Sequence, residues 1–370
     1  MSEKSAVPPL QINLVSFPSK NRTVMAFLAA VMAAIFLAAC AADPTPAANP
    51  VTTEPTTAEP TPQPTVTPTP TPIPYEDFAG AAVPPAEPER LARLITLLSL
   101  IPESYTSAVY LDMKFLRSDG SLATLISPEV LGLDVALPSI ATGLVNNIAV
   151  AVDFQTRSLV TSFQGDFAIA DMLRLASSFG LQLSEGGPQS YEGHDVWDIN
   201  ALGTVLSMAA ADEKTGVAAS GQDVTASDAR ALTEAALDAF DGRSARLLDA
   251  PGLAGLVGDV PSGFAAAVLS QCASLPLFAG VQGLPGCTGV AVSVDVLPGA
   301  LLVFHALIGF ADQDQAASAL QQASEALESQ KRSLGFEDLG VRQEGENVRV
   351  RVIVGLPKFT DVFQLFAPSR

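Results

Sequence analysis

Histidine, tryptophan and positive charge are all scarce in this chain. Its 370 residues include two His, one Trp and three Cys; aromatics make up 6%, and 20 basic residues face 39 acidic ones for a formal net charge of −19. Each shortage excludes a class of function. A negative excess of this size opposes nucleic acid as a partner, since that contact needs a positive field, and it reads as a solubility feature. His194 and His305 stand in no metal-ligand spacing with the thiols, so no metal site is legible. Ser207, Ser220 and Ser262 lack a Gly-X-Ser-X-Gly setting and the two histidines fall one in each half of the body, before and after residue 243, which leaves a serine hydrolase without support. No catalytic residue and no cofactor is assigned.

Carboxylates are abundant, and the abundance weakens each of them. Glu192, Asp195 and Asp198 crowd one predicted hairpin. Glycosidase chemistry needs two carboxyls about 5 to 9 Å apart across a cleft, which proximity in sequence does not establish. Asp312-Gln313-Asp314 lacks the glycine and distal glutamate of a calcium loop and reads as a helix start. His194, beside Asp195, reads as a solvated turn residue. His305 reads as a histidine of the core or sheet edge, and Trp197 as a core or interface residue.

What is present begins with an address. Lys20 and Arg22 precede an apolar run from Val24 that closes on Leu37-Ala38-Ala39-Cys40. A cationic start, an apolar stretch of about 15 residues and small residues at its end form the physical pattern of an export signal. The stretch is shorter than the roughly 20 residues that span a bilayer, and an uncleaved signal-anchor helix is the competing reading. The four closing residues resemble the lipobox of bacterial lipoproteins. That resemblance implies a signal peptide over residues 1–39, removal of it before Cys40, and acylation of Cys40 as the lipidated first residue of the mature chain. The expected location is the cell membrane, lipid-anchored on the extracytoplasmic side, with the bilayer as the partner of acylated Cys40. Two or more acyl chains give stable anchoring at about 0.8 kcal/mol per buried CH₂.

Residues 40–83 follow as a Pro/Thr-rich linker that cannot build a core and reads as extended, polyproline-like spacer at about 3.1 Å per residue. If Cys40 carries lipid, Cys272 and Cys287 remain as an even pair in an oxidising compartment. They form either a disulfide, stabilising by about 3 kcal/mol for a loop of this length, or two buried free thiols.

The body reads as α+β, a tandem duplication of an antiparallel sheet with helices on one face: residues 84–242 form the first repeat with a connecting helix, and 243–370 the second. Leu91, Leu94, Ile95 and Leu98 predict a helix over 89–100, and Val109, Leu111, Met113 and Phe115 predict a strand over 109–115. Residues 148–154 (IAVAVDF) match 290–296 (VAVSVDV), placing Val150 and Val292 at equivalent inward positions. Each is followed by a second apolar strand (158–163, 301–308) and a helix announced by Asp166 or Asp312. A hairpin comes next in each half, sharing Glu-Gly-X-X-Val at Glu192 to Val196 and Glu344 to Val348. Thr225 and Asp228 predict a capped helix between the halves, ended by Gly242. Phe163-Gln164-Gly165, Phe167, Leu173, Tyr191, Gly193, Val196 and Trp197 resemble a group of uncharacterised secreted or lipid-anchored prokaryotic proteins, which implies fold and location but no site.

Two apolar inserts, residues 128–145 and 275–285, exceed the polar background expected of loops. They either complete the core or line an apolar groove, whose walls would include Leu131, Leu133, Leu277 and Phe278. The sequence thus points first to a non-enzymatic binding or interaction module with an unknown protein partner. A carrier or sensor of an apolar small molecule comes next, and an extracytoplasmic enzyme last.

Overall fold

Apolar runs in the body become one antiparallel sheet in the computed structural model, which describes residues 88–120, 122, 145–153, 155–168, 171, 182–183, 187–201, 204–221, 223–272, 284, 286–297 and 300–358. Helix α1 (Pro88–Leu98) leads into strand β1 (Ser107–Asp112) and helix α2 (Met113–Ser118). Strands β2 (Val145–Asp153), β3 (Ser158–Gly165), β4 (Gln182–Leu183), β5 (Gln189–Tyr191), β6 (His194–Ala201), β7 (Thr204–Ala210) and β8 (Thr215–Gly221) complete the first half. After helix α3 (Ala226–Phe240) and a short helix α4 (Leu256–Asp259) come β9 (Ala265–Leu269), β10 (Cys287–Leu297) and β11 (Leu301–Phe310). Helix α5 (Gln313–Leu334) and the strands β12 (Phe336–Glu344) and β13 (Asn347–Gly355) close the chain. Among the described residues the thirteen strands form one sheet in the order β12-β13-β11-β10-β9-β1-β2-β3-β8-β7-β6-β4, with β5 paired to β6.

The seam between the halves is the β1–β9 pair, where Val109 faces Ala267. From this seam Val109 pairs with Val150 and Val150 with Thr161 on one side, while Ala267 pairs with Val292 and Val292 with Ala306 on the other. Val150 and Val292 therefore stand at matching steps from the centre. Beyond the third strand the halves part. β13 lies next to β11, whereas β6 is separated from β3 by β7 and β8. The shared Glu-Gly segments also differ in register. Tyr191 pairs with His194, so Glu192 (φ 48°) and Gly193 (φ 91°) make the first turn; Glu344 pairs with Asn347, so Gly345 (φ 63°) and Glu346 make the second. A one-residue slip moves side chains to the other face of a sheet. Val196 accordingly packs into one core and Val348 into the opposite one.

Helices cover both faces of the sheet, not one. Leu97 and Leu98 of α1 and Ala236 and Leu237 of α3 pack with Ala149, Val160 and Val217 on the first face. Met113 and Leu116 of α2 and Ala316, Ala319 and Leu327 of α5 pack with Ile148, Phe163, Phe304 and Val350 on the second. The reason lies in the strands: β3 is buried at nearly every position, so neither of its faces tolerates water.

The strand expected over 109–115 stops at Asp112. Its carboxylate accepts the Phe115 N–H at 2.8 Å and caps α2, which then buries Met113 and Leu116 at helical spacing. Elsewhere the local signals hold. Thr225 and Asp228 form a reciprocal capping box on α3, with Gly242 at φ 74° just past its end. Asp312 accepts the Gln315 N–H at 2.8 Å at the start of α5. The helix expected after Asp166, with Ile169, Met172, Leu173 and Ala176, lies almost wholly outside the described residues.

Candidate functional site

Among the described residues, the centre of the second face carries the least cover. Val109 and Leu111 of β1, Val150 of β2, Ala267 of β9 and Val292 and Val294 of β10 share that face. Val109 is 46% exposed and the other five are half-buried. Their neighbours outward are sealed, with Leu159 and Phe163 on β3 and Leu302 and Phe304 on β11 all buried. Helix α5 lies over β11, β12 and β13, and α2 sits at the Val145 end of β2, where Arg117 donates to the Val145 carbonyl at 2.7 Å. Four central strands thus form an apolar floor of small and branched side chains. At about 4.8 Å between strands the floor is roughly 15 Å wide.

Each end of the floor is tied down. At the Asp112 end the rings of Phe115 and Phe264 stack with centroids 5.8 Å apart, and the Arg90 guanidinium lies 4.7 Å from the Phe115 ring centre. Arg90 also pairs with Asp295 at 3.3 Å, joining α1 of the first half to β10 of the second. Arg93 reaches buried Asp112 at 3.6 Å. At the other end Cys272 and Cys287 are bonded, with Cα atoms 5.7 Å apart, beside the point where Leu269 of β9 pairs with Val290 of β10.

The residues singled out in the sequence are dispersed. Leu131, Leu133, Leu277 and Phe278, as well as Cys40, lie outside the described residues. Asp198 is committed to Arg230 of α3, with oxygen–nitrogen distances of 2.6 and 3.3 Å, while Glu192 and Asp195 are exposed in and beside the hairpin turn. Trp197 is half-buried and packs on the second face, where it pairs with Met208. Ser207 is fully buried beneath α3, and Thr233 donates to its carbonyl at 3.1 Å. His305 faces Arg351 across the strands, and burial, with Arg351 and Arg349 adding to it, pushes its pKa down to about 4. His194 is bound on both sides, by the Ala210 carbonyl and Asp241, so neither nitrogen is available to a substrate.

Among the described residues no cluster of three His, Cys, Asp or Glu could hold a metal, and no helix is long and apolar enough to cross a membrane. Sequence reasoning missed the floor because it arises from the β1–β9 seam. The available signal was the absence of any aromatic or charged residue on one side of four strands.

No family model matches the chain, and no curated protein matches it. Its fold is similar to that of TP0453 in three crystal forms. Form I is 10% identical with a TM-score of 0.43, over 73% of this chain and 98% of that one. Form III is 8% identical with a TM-score of 0.40, over 72% and 97%, and form IV is 8% identical with a TM-score of 0.42, over 72% and 96%.

Proposed function

We propose that this chain is a membrane-anchored extracytoplasmic lipoprotein whose body is a non-enzymatic binding module, with the central floor as its contact for an apolar ligand. The anchor rests on Leu37-Ala38-Ala39-Cys40 and the cationic, apolar segment before it. The floor rests on one observation: Val109 is nearly half exposed in the middle of a sheet whose flanks are sealed. Exposed apolar surface costs a soluble protein solubility and marks a place where something else binds. A floor without hydrogen-bonding side chains selects by shape and hydrophobicity, which suits hydrocarbon better than a polar metabolite. We also read the three inner strands of each half as a duplicated unit, a reading supported by the matching steps of Val150 and Val292 from the seam.

Two experiments test these readings separately. Mass spectrometry of the membrane fraction should find Cys40 as an acylated N-terminus; a peptide running from Lys20 past an unmodified Cys40 would overturn the anchor. Organic extraction of the purified body should release apolar molecules in near-stoichiometric amount. A body that yields none, and takes up none when exposed to long-chain lipids, would overturn the ligand reading.

A further inference from the structure

The two edges of the sheet are built differently. One ends in β4 and β5, of two and three residues, too short to template another chain. The other is β12, nine residues with neither proline nor lysine and, among the described residues, no strand on its outer side. An edge of this length is normally blunted or covered. Its one blunting device is the bulge between Phe336 and Asp338, which leaves the stretch from Asp338 to Glu344 regular. The Gln343 side chain fixes the far end of that stretch by donating to the Gln313 and Gly345 carbonyls, each at 2.9 Å.

Which backbone groups face outward follows from the ladder. The Phe310 N–H donates to the Glu346 carbonyl at 3.0 Å, so Glu346 faces β11 and the next residue, Asn347, faces β12. Asn347 pairs with Glu344 across the two-residue turn, and alternation then directs Glu344, Arg342 and Gly340 inward to β13. The N–H and C=O groups of Leu339, Val341 and Gln343 therefore point away from the sheet. We propose that this edge joins a second copy of the chain: β12 pairs antiparallel with the partner's β12 about a twofold axis at Gly340, making one continuous sheet.

Charge selects both the occupant and the register. β12, β13 and their turn carry three arginines against four carboxylates, close to neutral in a chain of net charge −19, so two copies meet here with little repulsion. With the axis at Arg342, the two guanidinium groups would oppose each other; with the axis at Val341, Asp338 would oppose the partner's Glu344. With the axis at Gly340, Asp338 opposes the partner's Arg342 and Arg342 opposes the partner's Asp338. Leu339 and Val341 then exchange backbone hydrogen bonds with the partner's Val341 and the partner's Leu339. Opposite charges directly across two strands are favourable, and like charges are not. Within the chain Asp338 pairs with Arg351 and Arg342 with Glu344. A carboxylate has two oxygens and a guanidinium five donors, so the cross-pairs extend these ion pairs through the joint. At the axis itself Gly340 places no side chain between the strands. Helix α5 lies over β11, β12 and β13, so the same axis brings two copies of α5 side by side, and its exposed Ala317, Ser318, Gln321 and Gln322 carry no charge.

The test is sedimentation equilibrium of the full chain in density-matched detergent, with circular dichroism as the folding control. A dimer is expected at micromolar concentration, and a monomer throughout that range would overturn the proposal. Val341→Pro removes an outward N–H from each copy and no hydrogen bond to β13, so it should weaken self-association about tenfold in a folded chain. Arg342→Glu should weaken it in the same direction by opposing carboxylates across the joint. A dimer indifferent to both variants would overturn the edge as the joint. Cross-linking reads the register, because Cys272 and Cys287 are bonded to each other and take no part. On oxidation in membranes, Gly340→Cys should give a disulfide-linked dimer beyond any formed by the unsubstituted chain through Cys40. The axis sets the two Cα atoms about 4.5 to 5.5 Å apart, within disulfide reach. Failure of Gly340→Cys to link, with or without linkage through Val341→Cys, would overturn the Gly340 axis.

Discussion

Ala108, Val109 and Tyr110 are consecutive on one strand and meet opposite surroundings. Ala108 and Tyr110 are 2% and 1% exposed on the face covered by α1, whereas Val109 is 46% exposed on the other. Both faces are apolar here, so composition does not separate them; cover does. On the sealed face the Tyr110 hydroxyl donates to Asn147 at 2.8 Å and Ser162 donates to the Leu97 carbonyl at 2.7 Å, so polar atoms are satisfied as α1 closes over them. On the open face the side chains of Val109, Leu111, Val150, Ala267, Val292 and Val294 carry no polar atom. Burial on the first serves stability, and the exposure on the second is what the proposed binding function rests on.

The largest effect that separates the faces is a core truncation. Leu97, fully buried, should lose about 3 kcal/mol on replacement by Ala, from lost burial plus the cavity left behind, whereas Val109→Ala should cost under about 1 kcal/mol. Urea denaturation of both variants checks this, and similar losses would erase the distinction between faces. Replacing both Cys272 and Cys287 with Ala should cost about 2 to 3 kcal/mol and loosen the end of the floor, read as a lower midpoint in the same assay.

Tyrosine titration sharpens the sealed side. Burial pushes Tyr105 and Tyr110 up to about 12, and the hydrogen bond to Asp238 raises Tyr191 as well, so in an absorbance titration Tyr105 and Tyr110 should stay un-ionised well past pH 10. Their folded pKa lies above the unfolded value of 10. The stability they contribute is therefore complete below pH 10 and is lost as pH climbs through about 12. Ionisation of Tyr110 near pH 10 would mean that α1 does not exclude water. His305 gives an effect of opposite sign. Its depressed pKa supports the fold above about 6.5 and withdraws that support as pH falls through about 4. His305→Phe should flatten that acid limb in thermal melts across pH 4 to 7.

How much of this was legible in the sequence depends on how local the signal is. Caps on α3 and α5 could be read directly, because Thr225, Asp228 and Asp312 act on residues within one turn. The strand over 109–115 was misread because Met113 and Phe115 continue the alternation of Val109 and Leu111, while one side-chain hydrogen bond from Asp112 decides the switch to helix. Helix cover on both faces follows from the near-continuous burial of β3, which alternation counting treats as half-buried. The shared Glu-Gly segments are a lesson in register. Similar residues sit one position apart in their turns, and Val196 and Val348 point to opposite cores. The floor was beyond reach because β1 and β9 are separated by more than 150 residues, and only their pairing sets four apolar strands side by side.

Ile95 and Val109 are the two large hydrophobic residues with high exposure among the described residues, at 40% and 46%. Ile95 stands on helix α1, and Val109 stands in the floor. Titration of the purified body with a fluorescent long-chain fatty acid, comparing Ile95→Asp with Val109→Asp, tests the account most directly. Saturable binding that survives Ile95→Asp and weakens at least tenfold in Val109→Asp, with both variants folded by circular dichroism, is the predicted result. Equal binding by the two variants would contradict the assignment of the floor as the binding face.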